Sequence, residues 1–362
     1  MPQCREAIQF ISLASAIVIS FFADDFDRVV GSWWRPLSSN TNPDPMRFPA
    51  DISRDTIVAN CHSHNDYWRR VPLYSALEAG CASVEADIWL FDNELYVGHT
   101  TSSLAASRTL RSLYVNPILQ ILDRQNPRTL GTSAAPENWR MRRKKGVFDT
   151  SPSQTLVLLV DFKTDGEVTW PYVYEQLSPL RDLGYLTYFN GTQLVNGPIT
   201  VVGTGNTPFN RIAALNLTHR DVFFDAPVDQ LAVAPPGGNI VGDCGTSASS
   251  RHHGNVRPTP YNYTNSYYAS ASFARAVGIP FRSRLSQSQM DRLRAQIQGA
   301  HLRGLKVRYW AIPDWPRSLR NSLWSILVHE GVDILNVDDL ESTTRREWIP
   351  ALASWKWPWL MY

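Results

Sequence analysis

The chain of 362 residues carries 35 Lys and Arg against 33 Asp and Glu, a net charge of +2. A balance so close to zero gives no electrostatic reason to bind nucleic acid. With 43% hydrophobic and 19% charged residues the composition is that of a globular protein, long enough for one large α/β domain or two smaller ones.

The first segment with a distinct character is residues 7–23 (AIQFISLASAIVISFFA), an apolar run interrupted only by Gln9 and three serines and preceded by Arg5. It has the pattern of a signal-peptide core or a short signal anchor, and it lacks the Arg-rich amphipathic pattern of a transit peptide. A buried N-terminal helix is the alternative. Residues 35–51 (RPLSSNTNPDPMRFPAD) read as a linker. Entry into the secretory pathway is the expectation, as a secreted or membrane-anchored protein. Asn-x-Thr triplets at Asn190, Asn216 and Asn262 are compatible with it. Cys4 precedes the apolar run. Cys61 and Cys81 are either neighbours or two separate buried thiols, and with Cys244 they spell out no disulfide framework.

From residue 55 onward, strand and helix patterns alternate. Residues 56–61 (TIVANC) predict a short strand, 73–79 a helix closed by Gly80, and 82–90 a second strand. Asp92-Asn93 turns the chain into a short strand at 94–97. Leu110, Leu113, Ile118 and Leu122 fall at helical spacing and predict a helix over 104–124. A polar loop at 126–153 follows, with the basic run RMRRKK at 140–145. Residues 156–162 (LVLLVDF) are apolar enough for a central strand. A helix is expected over 172–183, then strands over 199–203 and 222–225. Residues 235–260, rich in Gly, Pro and Ser, form a loop long enough to serve as a lid. Helices over 267–277 and 287–303, a strand over 306–312 (KVRYWAI), a helix over 319–329 and a strand over 332–337 complete the series.

This βα alternation makes a (β/α)8 TIM barrel the economical architecture, with its site at the C-terminal ends of the strands. No G-x-G-x-x-G or P-loop follows the first strand, which counts against a doubly wound nucleotide-binding sheet. The chain thus divides into a signal or anchor region (1–35), a linker (36–54), a barrel (55–350) and a Trp-rich tail (351–362).

Apolar strands here end in polar clusters, although buried charge is costly unless it pairs or binds a metal. Glu85 and Asp87 stand at i and i+2 near the end of the second strand, so both carboxylates face one side. They repel each other, and no Lys or Arg between Arg70 and Arg108 neutralises them. A divalent cation resolves the conflict, and oxygen ligands suit Mg²⁺ or Ca²⁺. Asp161 adds a third carboxylate from the next strand. Lys163, two residues on, faces the same side and suits a phosphate oxygen. The first strand ends in Cys61-His62-Ser63-His64-Asn65-Asp66, whose two histidines share a side and suit metal ligation or proton transfer. His62 is preferred because it directly ends the strand, with His64 as the alternative. His99 follows the short strand LYVG across the same rim.

In this order the residues resemble the phospholipase-C-like phosphodiesterase superfamily, which includes glycerophosphodiester phosphodiesterases and spider-toxin sphingomyelinases D. GCASVEADIWLFDNELYVGHT is similar to the second-strand signature of that superfamily, and VDFKTD has the Asp-x-Lys form of the third strand. HSHNDYWR is most similar to the fungal family called altered inheritance of mitochondria protein 6. The specific similarity spans about residues 56–165, and KVRYWAI and GVDILNVDD fit the last two strands more loosely. The resemblance implies one Mg²⁺ or Ca²⁺ held by Glu85, Asp87 and Asp161. It implies His62 and His99 as a general acid–base pair, Lys163 on the phosphodiester oxygens, and Trp310 lining the pocket. One departure stands out. The usual His-Arg-Gly is His-Ser-His here, which removes an arginine that many relatives place near the phosphate.

The expected activity is metal-dependent hydrolysis of a glycerophosphodiester or a phospholipid-like substrate, including lysophospholipids. A non-catalytic lipid- or phosphate-binding barrel is the main rival. An amidohydrolase-type enzyme also begins with HxH, but it needs later histidines at strand ends. His219, His252, His253, His301 and His329 end no expected strand. The basic run at 140–145 reads first as a solvated loop and second as a contact for anionic headgroups, and the tail WKWPWLMY (355–362) suits either a membrane interface or closure of the bottom of the barrel.

Overall fold

The computed structural model describes residues 9, 53, 55–127, 143–215, 218–233, 259–280 and 284–345. β1 (Ala59–Ser63) and β2 (Cys81–Phe91) are parallel neighbours, and β2 continues through a hairpin into the antiparallel β3 (Glu94–Val97). Asp92 and Asn93 both have positive φ, the conformation that a two-residue hairpin of this hand requires. The sheet goes on through β4 (Leu156–Phe162). β5 (Tyr188–Phe189) and β6 (Leu194–Val195) form a separate ribbon. β7 (Ile199–Gly205), β8 (Val222–Pro227), β9 (Ser266–Ser272), β10 (Lys306–Trp310) and β11 (Ile334–Val337) complete the parallel series, and β11 pairs back onto β1. Eight parallel strands therefore close into the expected (β/α)8 barrel.

Alternation along each strand sorts side chains between two cores. Outward residues such as Val84, Ala86, Leu158, Val160 and Val201 pack under the helices. Inward, Val157, Leu159, Val202, Phe223, Tyr268 and Ile334 form an apolar plug, with Phe189 of the ribbon against it. Above the plug, toward the C-terminal ends, the interior turns polar. That transition positions the site.

Three expectations are corrected. Residues 267–277 are not one helix: β9 occupies Ser266–Ser272 and only Phe273–Ala276 is helical. The small residues that suggest helix instead fill a strand buried on both faces, with Ala269 and Ala271 toward the helices and Tyr268 and Ser270 toward the interior. The helix expected over 104–124 is α-helical only at Asn116–Gln125, after a π turn at Arg111–Val115. The helix expected from 172 begins at Gly166, where Asp165 accepts a hydrogen bond from Val168 N, and it tolerates Pro171 inside. The apolar run at 7–23, the tail, most of the 235–260 loop, His252, His253 and Asn216 lie outside the described residues. No helix among the described residues is long and apolar enough to cross a membrane.

Cys61 and Cys81 are joined by a disulfide across β1 and β2. The sequence left this open because only strand pairing brings the two residues together. The bond closes a loop of 20 residues in sequence separation. Replacing both cysteines by alanine should lower the unfolding free energy by about 3 kcal/mol, read from urea denaturation.

At the N-terminal end of the barrel, His301 Nε2 lies 2.7 Å from Asp333 Oδ2. That hydrogen bond raises the histidine pKa despite partial burial. A pKa raised by folding contributes stability below the unfolded value and loses it as pH rises through the folded value. His301→Gln should therefore destabilise more at about pH 5.5 than at about pH 9, measured by thermal unfolding.

Candidate active site

Parallel register places Asp87 on β2 beside Asp161 on β4, with Glu85 one inward position below Asp87. One ligand oxygen from each of Glu85, Asp87 and Asp161 lies within 4.8 Å of the others. Gly205 at the end of β7 makes room for them. It has φ +65°, and a Cβ there would fall 2.0 Å from Asp161 Oδ1. Lys163 Nζ sits 2.6 Å from Asp161 Oδ2 and 3.0 Å from Asp87 Oδ2. Asp87 Oδ1 is buried without a hydrogen-bond partner. Burial, reinforced by the negative charge of Glu85, pushes the Asp87 carboxyl up to about 6 against the pull of Lys163. Burial also raises Asp161, again against Lys163. The cluster thus holds more negative charge than Lys163 neutralises, and one acceptor is left over. Three oxygen donors in this state can hold a metal ion.

The two histidines of β1 are placed differently. His62 lies inside the strand rather than at its end, fully buried, with Nδ1 2.6 Å from Ser83 Oγ and Nε2 3.5 Å from Glu85 Oε2. Burial and the nearby Arg308 charge lower its pKa to about 4, so it is neutral at pH 7. His64 has passed the strand end, and its side chain is 27% exposed. Its Nε2 lies 3.9 Å from the same Glu85 oxygen, and its Nδ1 lies 2.9 Å from Asp338 Oδ1. Burial pulls its pKa down, but the Asp338 and Glu85 carboxylates outweigh that and raise it. Glu85 is drawn below the usual carboxylate range, since His62, Arg308 and His64 together overcome its burial.

His99 stands on the other side of the cluster, with Nδ1 3.5 Å from Asp87 Oδ2. It is held by a residue that sequence reasoning passed over. Tyr67 Oη lies 2.7 Å from Asp87 Oδ2, 2.6 Å from Asn65 Oδ1 and 3.2 Å from His99 Nδ1. Trp68 packs its ring 4.9 Å from the His99 ring. The segment carrying Tyr67 is pinned from both ends. Asp66, buried, accepts hydrogen bonds from Leu73 N, Ser63 Oγ and Tyr114 Oη. Arg69 donates to the backbone carbonyls of His64, Val337 and Asp338. Asn65 N donates to Glu85 Oε2 at 3.0 Å.

Arg308 is the second residue missed. It is buried on β10, donating to Ser270 Oγ, Asn336 Oδ1 and Asp225 Oδ2. It supplies positive potential beneath the carboxylates. Its signal was the i, i+2 spacing of Lys306, Arg308 and Trp310, which puts all three on one strand face. Trp310 ends β10 and is exposed at the mouth. A cavity of about 630 Å³ opens beside His64, lined by Ile312, Trp315, Arg320, Trp324, Asn336 and Asp338. None of His219, His301 and His329 reaches this mouth, since each precedes a strand at the opposite end. That removes the support for an amidohydrolase among the described residues.

Residues 50–225 match the family described as AIM6-like phosphodiesterase domain. The altered inheritance of mitochondria protein 6 homolog of Arthroderma benhamiae is 38% identical over 344 residues, 91% of this chain and 97% of that protein. Altered inheritance of mitochondria protein 6 of Lachancea thermotolerans is 39% identical over 305 residues, 80% of this chain and 65% of that protein. Among solved structures, phosphatidylinositol-specific phospholipase C from Listeria monocytogenes aligns over 82% of this chain and 89% of that one. Its identity is 11% and its TM-score 0.33, too low to bear on fold or activity. The chain belongs to the altered inheritance of mitochondria protein 6 family, and through its phosphodiesterase domain to the superfamily that its strand-end residues resemble.

Proposed function

We propose that this chain is a metal-dependent phosphoric diester hydrolase acting on glycerophosphodiester or phospholipid-like substrates, lysophospholipids included. One observation carries the reading: at a single barrel mouth a histidine stands beside each β2 carboxylate, His64 at Glu85 and His99 at Asp87. Glu85, Asp87 and Asp161 would hold one Mg²⁺ or Ca²⁺. When bound, such a cation supplies charge neutralisation for a phosphodiester oxygen. Lys163 binds another phosphate oxygen. His64 and His99 divide the proton transfers. One takes a proton from the attacking hydroxyl and the other protonates the leaving oxygen. This departs from the preference for His62, which is sealed in the barrel, hydrogen-bonded at Nδ1 to Ser83, with Nε2 3.5 Å from Glu85 and no hydrogen-bond partner there. Its role is to orient Glu85. Asp338 orients His64, and Tyr67 orients His99.

Support for a secretory location comes from the disulfide, which persists in oxidising compartments. Asn190 also precedes an exposed turn at residues 191–193, open to a glycan. One observation favours a second reading. Lys163 already bridges Asp87 and Asp161, as it would in a binding barrel that needs no metal.

Hydrolysis of glycerophosphocholine, lysophospholipid, sphingomyelin and an aryl diester, each with Mg²⁺, Ca²⁺ or chelator, separates the two. Metal-dependent turnover that falls about 10²–10⁴-fold in Glu85→Gln and His99→Ala is expected. No turnover from folded, metal-supplied protein would favour the binding barrel. His64→Asn should lower kcat about 10²–10⁴-fold with little change in Tm, whereas His62→Asn should mainly lower Tm. The reverse pattern would return the catalytic role to His62.

A further inference from the structure

The Asn-x-Thr triplets at Asn190 and Asn262 fall wholly within the described residues, and the structure treats them differently. Asn190-Gly191-Thr192 lies at the tip of the β5–β6 ribbon. Phe189 is buried against the apolar plug, so strand alternation turns Tyr188 and Asn190 to the opposite, outer face. Gly191, at φ +95°, makes the turn. Asn190 Oδ1 accepts three hydrogen bonds within it, from Thr192 Oγ1 at 2.9 Å, Thr192 N at 3.0 Å and Gln193 N at 2.9 Å. The carboxamide is thus fixed through its oxygen, while Nδ2 makes no hydrogen bond among the described residues. Residues 191–193 are exposed, and Tyr188 is half-buried, stacked on His219 at 4.3 Å.

Asn262 has only the Thr264 N–H on its Oδ1, at 2.9 Å, and among the described residues the Thr264 hydroxyl does not join it. Its turn also depends on distant segments: Tyr263 N donates to Arg303 O, and Tyr261 packs on Phe209 and Phe224. The Asn190 turn uses sequence neighbours alone, and Asn-Gly favours tight turns by itself, so it can form before the barrel does. We propose that Asn190 is the acceptor of an N-linked oligosaccharide, that Asn262 stays bare, and that the first sugar ring lies on Tyr188. The proposal rests on the secretory reading. In the transfer, Asn190 Nδ2 attacks the anomeric carbon of an oligosaccharide carried on a lipid pyrophosphate. The N–C bond forms, the bond from that carbon to the pyrophosphate oxygen breaks, and Nδ2 gives up one proton as the lipid pyrophosphate leaves. Tyr188 and Asn190, at i and i+2, present an aromatic ring and the acceptor on one face, and the apolar C–H face of a sugar packs on such a ring. Two residues before Asn262 stands Pro260, which offers no ring. The ribbon lies at the N-terminal end of the barrel, where Phe189 pairs with Arg220 ahead of β8. A glycan there leaves the mouth open.

The test translates the full chain with endoplasmic-reticulum microsomes in two forms, with its own N-terminus and behind a cleavable signal peptide of proven function. Both forms carry Asn216→Gln, so that only the two triplets above are read. Glycan release by peptide-N-glycosidase in heavy-oxygen water marks each occupied asparagine for mass spectrometry. Asn190 should be marked and Asn262 unmarked, and Thr192→Val should abolish the mark. Release also leaves an aspartate whose oxygen still accepts the bonds of the turn. In protein purified from a secreting host it should lower Tm, and by at most about half as much in Tyr188→Ala, since the new charge is common to both backgrounds and cancels. An imported chain with Asn190 unmarked, or with Asn262 marked equally, overturns the proposal. A Tm that does not fall, or falls equally in both backgrounds, overturns the seating on Tyr188. Failure of import with the chain's own N-terminus, with Asn190 marked behind the signal peptide, discards the secretory reading and keeps the acceptor site. Import with its own N-terminus and no mark at Asn190 does the opposite.

Discussion

Closing the barrel forces Glu85, Asp87 and Asp161 into one small volume, and the upper half of the domain is organised around that concentration of negative charge. Buried carboxylates repel and lose hydration, so each needs a positive or hydrogen-bonding partner. Lys163 meets two of them, while His64 and Arg308 lend Glu85 positive potential. The supply still falls short at Asp87, whose second oxygen has no partner. A structure built only for stability would place apolar residues here, since a well-packed apolar core matches or exceeds a buried ionic one. The apolar plug just below shows that the same barrel can do so.

The segment from Ser63 to Leu73 turns this charge into a shaped site. Asp66 and Arg69 fix its backbone, and neither faces the carboxylate cluster directly. What they fix is the position of Tyr67 and His64. Tyr67 couples Asp87 to His99, so a residue at the end of one strand sets the geometry of a residue beyond another. The disulfide holds β1 to β2 below this segment, where a shift in register would move His62 away from Glu85. Stability features and site features are therefore the same contacts viewed from two sides.

The polar interior opens among exposed tryptophans, Trp68, Trp310 and Trp315. The cavity that begins at Asp338, the partner of His64, has both charged and apolar walls, with Arg320 and Asp339 beside Trp315 and Trp324.

Much was legible from sequence because the physics is local. Residues at i and i+2 on a strand share a face, so Glu85 with Asp87, and Asp161 with Lys163, could be paired off before any fold was known. Apolar runs and glycine or acidic caps located seven of the eight barrel strands. The eighth, β9, escaped because Tyr-Tyr-Ala-Ser-Ala-Ser has no apolar alternation: its two faces are buried against different partners, one of them polar. Closure, the disulfide, the burial of His62 against the exposure of His64, and the contacts of Tyr67, Arg308 and Asp338 were decided only by tertiary structure. Each depends on which strands become neighbours and how far along each strand the interior ends. His62 and His64 differ by two residues in sequence, and only the position of the barrel rim puts one inside the protein and the other at its mouth.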